Sequence, residues 1–197
     1  GFGEATVTGT CRATGNKAST TVKVATGWWV WDAACSFEGW GMGTKGTSFE
    51  VTEDRMVVTT APQSSGALRA DLTLDTKNTK AIMDLANYPV IALHTNLPDI
   101  SKQGYTLDLV ASNGTKGESK LSKGEVLSDG TKLLLYDVKS LNKFAEGEVP
   151  FTSFQIKIAD MQPAELPSGQ YEVYWIRTFA SKEEAVRFAE DQITADK

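Results

Sequence analysis

An all-β fold, an antiparallel sandwich closed by one short C-terminal helix, is what this sequence predicts, and three observations carry the prediction. Short runs rich in β-branched and aromatic residues follow one another up to Pro167, several alternating apolar with polar positions. Turn chemistry separates them: Asn113-Gly114 and Asp129-Gly130 suit the central positions of a hairpin turn, where φ is positive. The period then changes once, after Phe179, from that of a strand to that of a helix.

Taken in order, Thr20 to Val24 is β-branched and Trp28 to Trp31 aromatic, and Ser48 to Thr52 and Met56 to Thr60 follow as strands. Ala67 to Leu74 reads as one strand, with Leu68, Ala70, Leu72 and Leu74 alternating against Arg69, Asp71 and Thr73. Thr76 to Leu85 is compatible with a turn of helix. Val90 to Thr95, Tyr105 to Ala111, Lys132 to Val138 and Phe151 to Ile158 are further strands. The Gly-, Ser- and Lys-rich stretch Ala111 to Lys123 reads as an exposed hairpin loop.

The organising element is the last strand, Tyr171 to Phe179. Both of its faces carry large side chains: Tyr171, Val173, Trp175, Arg177 and Phe179 on one, Tyr174 and Ile176 on the other. It is therefore expected at the centre of a sheet. Ser181 and Glu184 form a capping box, and Ala185, Phe188 and Ala189 give the helix, about 182–193, an apolar stripe. No repeat and no linker composition divides the chain, so residues 1–197 are expected to form one domain.

The 197 residues carry 41% hydrophobic and 23% charged side chains, an ordinary globular balance. A net charge of −5 argues against nucleic acid as a partner, since phosphate binding needs a basic face. No apolar run is long enough to insert in a membrane. Cys11 and Cys35, if paired, would close a loop contributing roughly 3.5 kcal/mol and would suit an extracytoplasmic compartment. The alternative is two small thiols packed as hydrophobes.

Four of the five tryptophans fall between positions 28 and 40. A flat indole left uncovered suits the C–H face of a pyranose, at little conformational cost. Trp40, flanked by Gly39, Gly41 and Gly43, is the best candidate for exposure, with Trp31 and Trp28 next; core burial is the competing reading for each. Gly41-Met-Gly-Thr-Lys-Gly46 has the spacing of a dinucleotide loop, but a strand follows it instead of a helix, so it is read as a tight loop.

His94, the single histidine, and Asn96 share one side of their strand and could hydrogen-bond sugar hydroxyls, as could Arg69. One histidine with two cysteines leaves no His/Cys zinc set. Carboxylates near strand ends, Asp71, Asp75, Asp108, Asp137 and Asp160, could supply a glycosidase pair or a structural Ca²⁺ site, and otherwise serve turns and arginines. Arg177 is expected to pair with a carboxylate such as Asp160.

The strings Phe154-Gln-Ile-Lys-Ile-Ala-Asp160 and Tyr174-Trp-Ile-Arg-Thr-Phe-Ala-Ser-Lys-Glu-Glu-Ala185, with Tyr136-Asp-Val and Tyr88-Pro-Val-Ile-Ala92, resemble the C-terminal signature of uncharacterised β-sandwich modules. Those modules occur in surface lipoproteins with which gut bacteria capture glycans. The resemblance spans about Ala67 to Ala189 and rests on core residues, so it transfers no binding residue. It implies a jelly-roll similar to carbohydrate-binding modules, located outside the cytoplasm at the bacterial cell surface or in the periplasm, with a lipid anchor upstream. The expected function is non-catalytic binding of a polysaccharide or oligosaccharide by a monomer without a cofactor. A protein-interaction domain of a surface lipoprotein and a jelly-roll glycoside hydrolase or lyase are the alternatives.

Overall fold

The computed structural model describes residues 3–24, 28–30, 39–52, 54–76, 82–99, 105–111, 116–122, 124–139 and 148–195. Its strands are β1 (Gly3–Thr10), β2 (Lys17–Val24), β3 (Trp28–Val30), β4 (Trp40–Met42), β5 (Ser48–Val51), β6 (Met56–Thr59), β7 (Ala61–Pro62), β8 (Leu68–Arg69) and β9 (Leu72–Leu74). There follow β10 (Ile82–Asp84), β11 (Val90–Thr95), β12 (Tyr105–Ala111), β13 (Lys116–Ser122), β14 (Glu125–Val126), β15 (Lys132–Asp137), β16 (Glu148–Lys157) and β17 (Gln170–Phe179). One helix, α1 (Lys182–Ala195), ends the described chain.

Two antiparallel sheets make the sandwich. The smaller runs β13-β12-β16-β9-β4, with β10 also on β16; the larger runs β14-β15-β11-β17-β6-β5, with β3 also on β17. Alternation decides which side chains meet between them. Trp40, Leu72, Leu74, Leu107, Leu109, Phe154 and Ile156 of the smaller sheet pack on Met56, Val58, Ile91, Leu93, Leu134, Tyr171 and Val173 of the larger. In this core Tyr171 donates its hydroxyl to Ala70 O at 3.2 Å, while the Tyr136 hydroxyl finds no partner among the described residues.

A second core lies outside the larger sheet. Helix α1 lays Ala185, Ala189 and Ile193 on Val90, Ala92, Leu133, Leu135, Trp175 and Phe179. Strand β11 therefore has both faces covered, and all six of its residues are buried. The cap forms as expected on one side, Glu184 N donating to Ser181 Oγ at 3.2 Å. The Glu184 carboxylate reaches past Ser181 and accepts from Ala180 N at 3.0 Å.

Strand β17 departs from simple alternation. Tyr171 and Val173 face the inter-sheet core, and so does Ile176, whereas Trp175 and Phe179 face the helix. The cause is a bulge: Thr95 pairs with Val173 but His94 pairs with Trp175, leaving Tyr174 as an extra residue. One strand thus feeds both cores.

Two other expectations are corrected, and a third is replaced only at its end. Ala67 to Leu74 is broken into β8 and β9, because the buried Asp71 carboxylate between them accepts from Arg69 and from Ile158 N. Within Ala111 to Lys123, Lys116–Ser122 is the edge strand β13 and not a loop; lysines suit an edge, where they discourage further pairing. Of the helical turn expected over Thr76 to Leu85, Thr76 is helical and residues 77–81 lie outside the described ones, while Ile82–Asp84 is strand β10, paired with β16; Asn113-Gly114 also lies outside the described residues.

Strands β1 and β2 pair only with each other. Residues 5–22 are all exposed. Cys11, at the tip of this hairpin, is a free thiol, against the bond considered for it; Cys35 lies outside the described residues.

Candidate functional site

An open hollow of about 410 Å³ lies at the edge where β4 ends the smaller sheet, lined by Gly39, Trp40, Gly41, Met42, Phe49, Thr73 and Asp75. The alternating glycines shape it. Gly39 O accepts from Asp75 N at 2.7 Å and Gly43 N donates to Asp71 O at 2.8 Å, so both glycines lie on the ladder with β9. Their alternation sets Gly41 opposite Thr73. A Cβ at Gly41 would meet nothing within 4 Å. In the dinucleotide-like stretch Gly41 and Met42 end β4, and residues 43–46 form the loop expected.

Each lining group has a definite chemistry. Phe49, on β5, is half-buried and brings an aromatic side chain of the larger sheet to the hollow. Asp75 is exposed and brings a carboxylate. Because Gly39 and Gly43 bond to β9, the antiparallel alternation turns the N–H and C=O of Met42 away from it, along the last strand. Thr73 lines the hollow with its side, but its hydroxyl is turned under Gly43, where a Cβ would come within 2.5 Å of it. A side chain at Gly43 would therefore force the Thr73 and Gln155 side chains to shift.

The residues expected to bind do not converge here. Trp40 borders the hollow but is a core residue, 2% exposed, with its ring edge-on to Phe154 at 5.2 Å. Glycines at alternate positions signal a bare outer face on β4, and the indole takes the inner one. Trp28 sits in β3 opposite Arg177, its side chain outside what is described, and Trp31 lies outside the described residues altogether.

His94 is buried in the larger sheet beside Tyr174 and Trp175, at ring distances of 4.6 and 5.4 Å. Burial pushes its pKa down to about 4. Asn96 is exposed and accepts from Glu172 N at 2.7 Å, a strand-end contact. Arg69 is tied to the buried Asp71 at 2.6 Å. Arg177 lies over the rings of Phe179 and Phe188, at 5.0 and 4.4 Å, instead of on Asp160, which is exposed at φ 62°.

The sequence matches the family described as Domain of unknown function (DUF4979) over residues 28–185. The chain belongs to that family. The match begins at β3 and ends in the first turns of α1, so it contains both sheets and leaves the β1–β2 hairpin outside. No curated protein matches the chain. Among solved structures it is similar to a family 29 carbohydrate-binding module, at 12% identity and a TM-score of 0.40, over 80% of this chain and 91% of that one. A variant family 29 module complexed with cellulohexaose gives 12% identity and a TM-score of 0.39, over 81% of this chain and 94% of that one.

Two further properties bear on chemistry. Among the described residues, no three His, Cys, Asp or Glu side chains gather where they could hold a metal ion. Among the described residues, too, no helix is long and apolar enough to cross a membrane. Asp71 accepts from Arg69, Ile158 N and Gln155 Nε2, and Asp108 pairs with Lys157, so both are engaged structurally.

Proposed function

We propose that this chain is a non-catalytic glycan-binding module, displayed at a bacterial cell surface or in the periplasm, and that oligosaccharide enters the hollow beside β4. The hollow itself carries the reading. It offers a half-buried ring at Phe49, a carboxylate at Asp75, outward backbone groups at Met42 and bare backbone at Gly41. A sugar needs that combination of an apolar surface for its C–H face and a few fixed polar groups for its hydroxyls. The ring differs from the indole that the sequence suggested. Among the described residues the hollow is lined by one carboxylate, Asp75, whereas hydrolysis of a glycosidic bond ordinarily takes two. This favours binding over turnover.

Calorimetry with cello-, manno-, xylo- and malto-hexaose tests the proposal. At least one is expected to bind, and Gly41→Ile is expected to abolish that binding while leaving the thermal melt unchanged, because a side chain there fills the hollow without touching the protein. Failure of all four to bind at millimolar concentration, or undiminished binding by Gly41→Ile, overturns it.

A second function, docking to another protein, is favoured by the β1–β2 hairpin. One of its faces carries Ala5, Val7, Ala18 and Val22, with Val7 55% exposed, and nothing described covers it.

A further inference from the structure

We infer that a linear, uncharged oligosaccharide continues beyond the hollow along a track across the outer face of the smaller sheet. This rests on the glycan-binding reading above and adds the path and the class of ligand.

The two sheets differ on their outer sides. Helix α1 covers the larger one. On the smaller one the outward residues Thr73, Ser153, Gln155, Lys157, Thr106 and Asp108 are only half-buried. Register places four positions in one line across the strands: Gly41 opposite Thr73, Thr73 opposite Gln155, and Gln155 opposite Asp108. Directly opposed residues share a face, and three inter-strand steps of about 4.8 Å make a track of roughly 14 Å. Its first position opens into the hollow.

Along this line the bare backbone of Gly41 and the side of Thr73, whose hydroxyl is buried, lead to the polar groups of Gln155 and Asp108. Thr106, opposite Lys157, and Ser153, opposite Val110, flank it with hydroxyls. The inward positions of the same strands are Leu72, Leu74, Leu107, Leu109, Phe154 and Ile156, so the polarity is confined to the outer side. The charges are already matched: Lys157 is paired with Asp108 and Arg69 with Asp71. An anionic glycan therefore meets cations that are engaged, whereas a neutral one meets amide, hydroxyl and carboxylate groups able to bond hydroxyls. The Gln155 amide is central, and Gly43 gives it room: a Cβ there would lie 2.7 Å from Nε2.

The test uses the di-, tetra- and hexasaccharide of whichever series binds, measured by calorimetry on the full chain and on Gln155→Ala and Asp108→Ala. Affinity is expected to rise with length, and each variant to weaken the hexasaccharide about fivefold while sparing the disaccharide, the worth of one hydrogen bond. Amide NMR gives a readout independent of variants: hexasaccharide should shift Thr106, Asp108 and Gln155, and disaccharide only the surroundings of Gly41. Affinity that levels off at the disaccharide, with both variants binding as the parent does, overturns the track and leaves the hollow standing. Equal affinity for an oligogalacturonate of the same length overturns the uncharged ligand class. Absence of binding by every neutral oligosaccharide overturns the underlying reading as well.

Discussion

His94 shows how a single position can mislead when only its neighbours in sequence are known. Alternation sets it with Ala92 and Asn96, a mixed face that reads as a groove. In the folded chain it lies between Leu133 and Trp175, near the foot of the helix. Its Nε2 is 2.6 Å from Thr131 Oγ1, whose own proton goes to Asp129 Oδ1 at 2.6 Å. Thr131 therefore accepts, Nε2 carries the ring hydrogen, and Nδ1 is bare with no partner among the described residues. Protonating Nδ1 would bury a charge with nothing to receive it, which Asp129 and Glu190 offset only in part. The folded pKa, about 4, lies below the ordinary 6.5, so the unfolded chain takes up the proton first. The contribution to stability is complete above pH 6.5 and falls as pH drops toward 4, by about 3 kcal/mol in all. Urea unfolding between pH 7 and 4.5 should show this slope in the parent chain and lose it in His94→Gln; parallel curves would falsify the assignment.

At the level of single elements, what could be read ahead depended on whether one strand sufficed to explain it. The switch from strand to helix after Phe179 was visible because capping and periodicity are local. The bulge at Tyr174 was not, since aromatic residues occupy both phases of β17 and only the partner β11 shows which is extra. Edge strand β13 was hidden for a related reason: its glycine, serine and lysines look like a loop until β12 pairs with them. For Trp40 the glycines on either side suggested exposure, though they mark the opposite face of β4. The helix makes a measurable claim here. Phe188 stacks edge-on against Trp175 at 5.3 Å and beside Phe179 at 5.5 Å. Phe188→Ala should lower stability by about 2 kcal/mol, less than a fully buried ring because Phe188 is half-exposed. A denaturant midpoint within experimental scatter of the parent would show that α1 does not depend on this ring.

For the whole molecule, the expectation of one domain meets a chain whose hairpin and sandwich are unequal partners. All-β class, antiparallel pairing and the terminal helix were legible, since each follows from alternation summed over many segments. The site was less so: Asp75 and the glycines stand out in the sequence, but Phe49 lines the hollow from the other sheet, and Gln155 is set beside Thr73 only by the pairing of β16 with β9. The β1–β2 hairpin is exposed from residue 5 to 22 and lies outside the family match, so the sandwich should fold without it. Deleting residues 1–24 is expected to leave the calorimetric melting temperature and any oligosaccharide affinity unchanged; a marked fall in either would tie the hairpin to the rest.

The added residue at Tyr174 also sets a rule for relatives of this chain. It acts as a dislocation does in a crystal row, advancing everything after it by half a repeat. A homologue lacking that insertion would have to interchange bulky and compact side chains from position 175 onward, or lose the docking of its terminal helix.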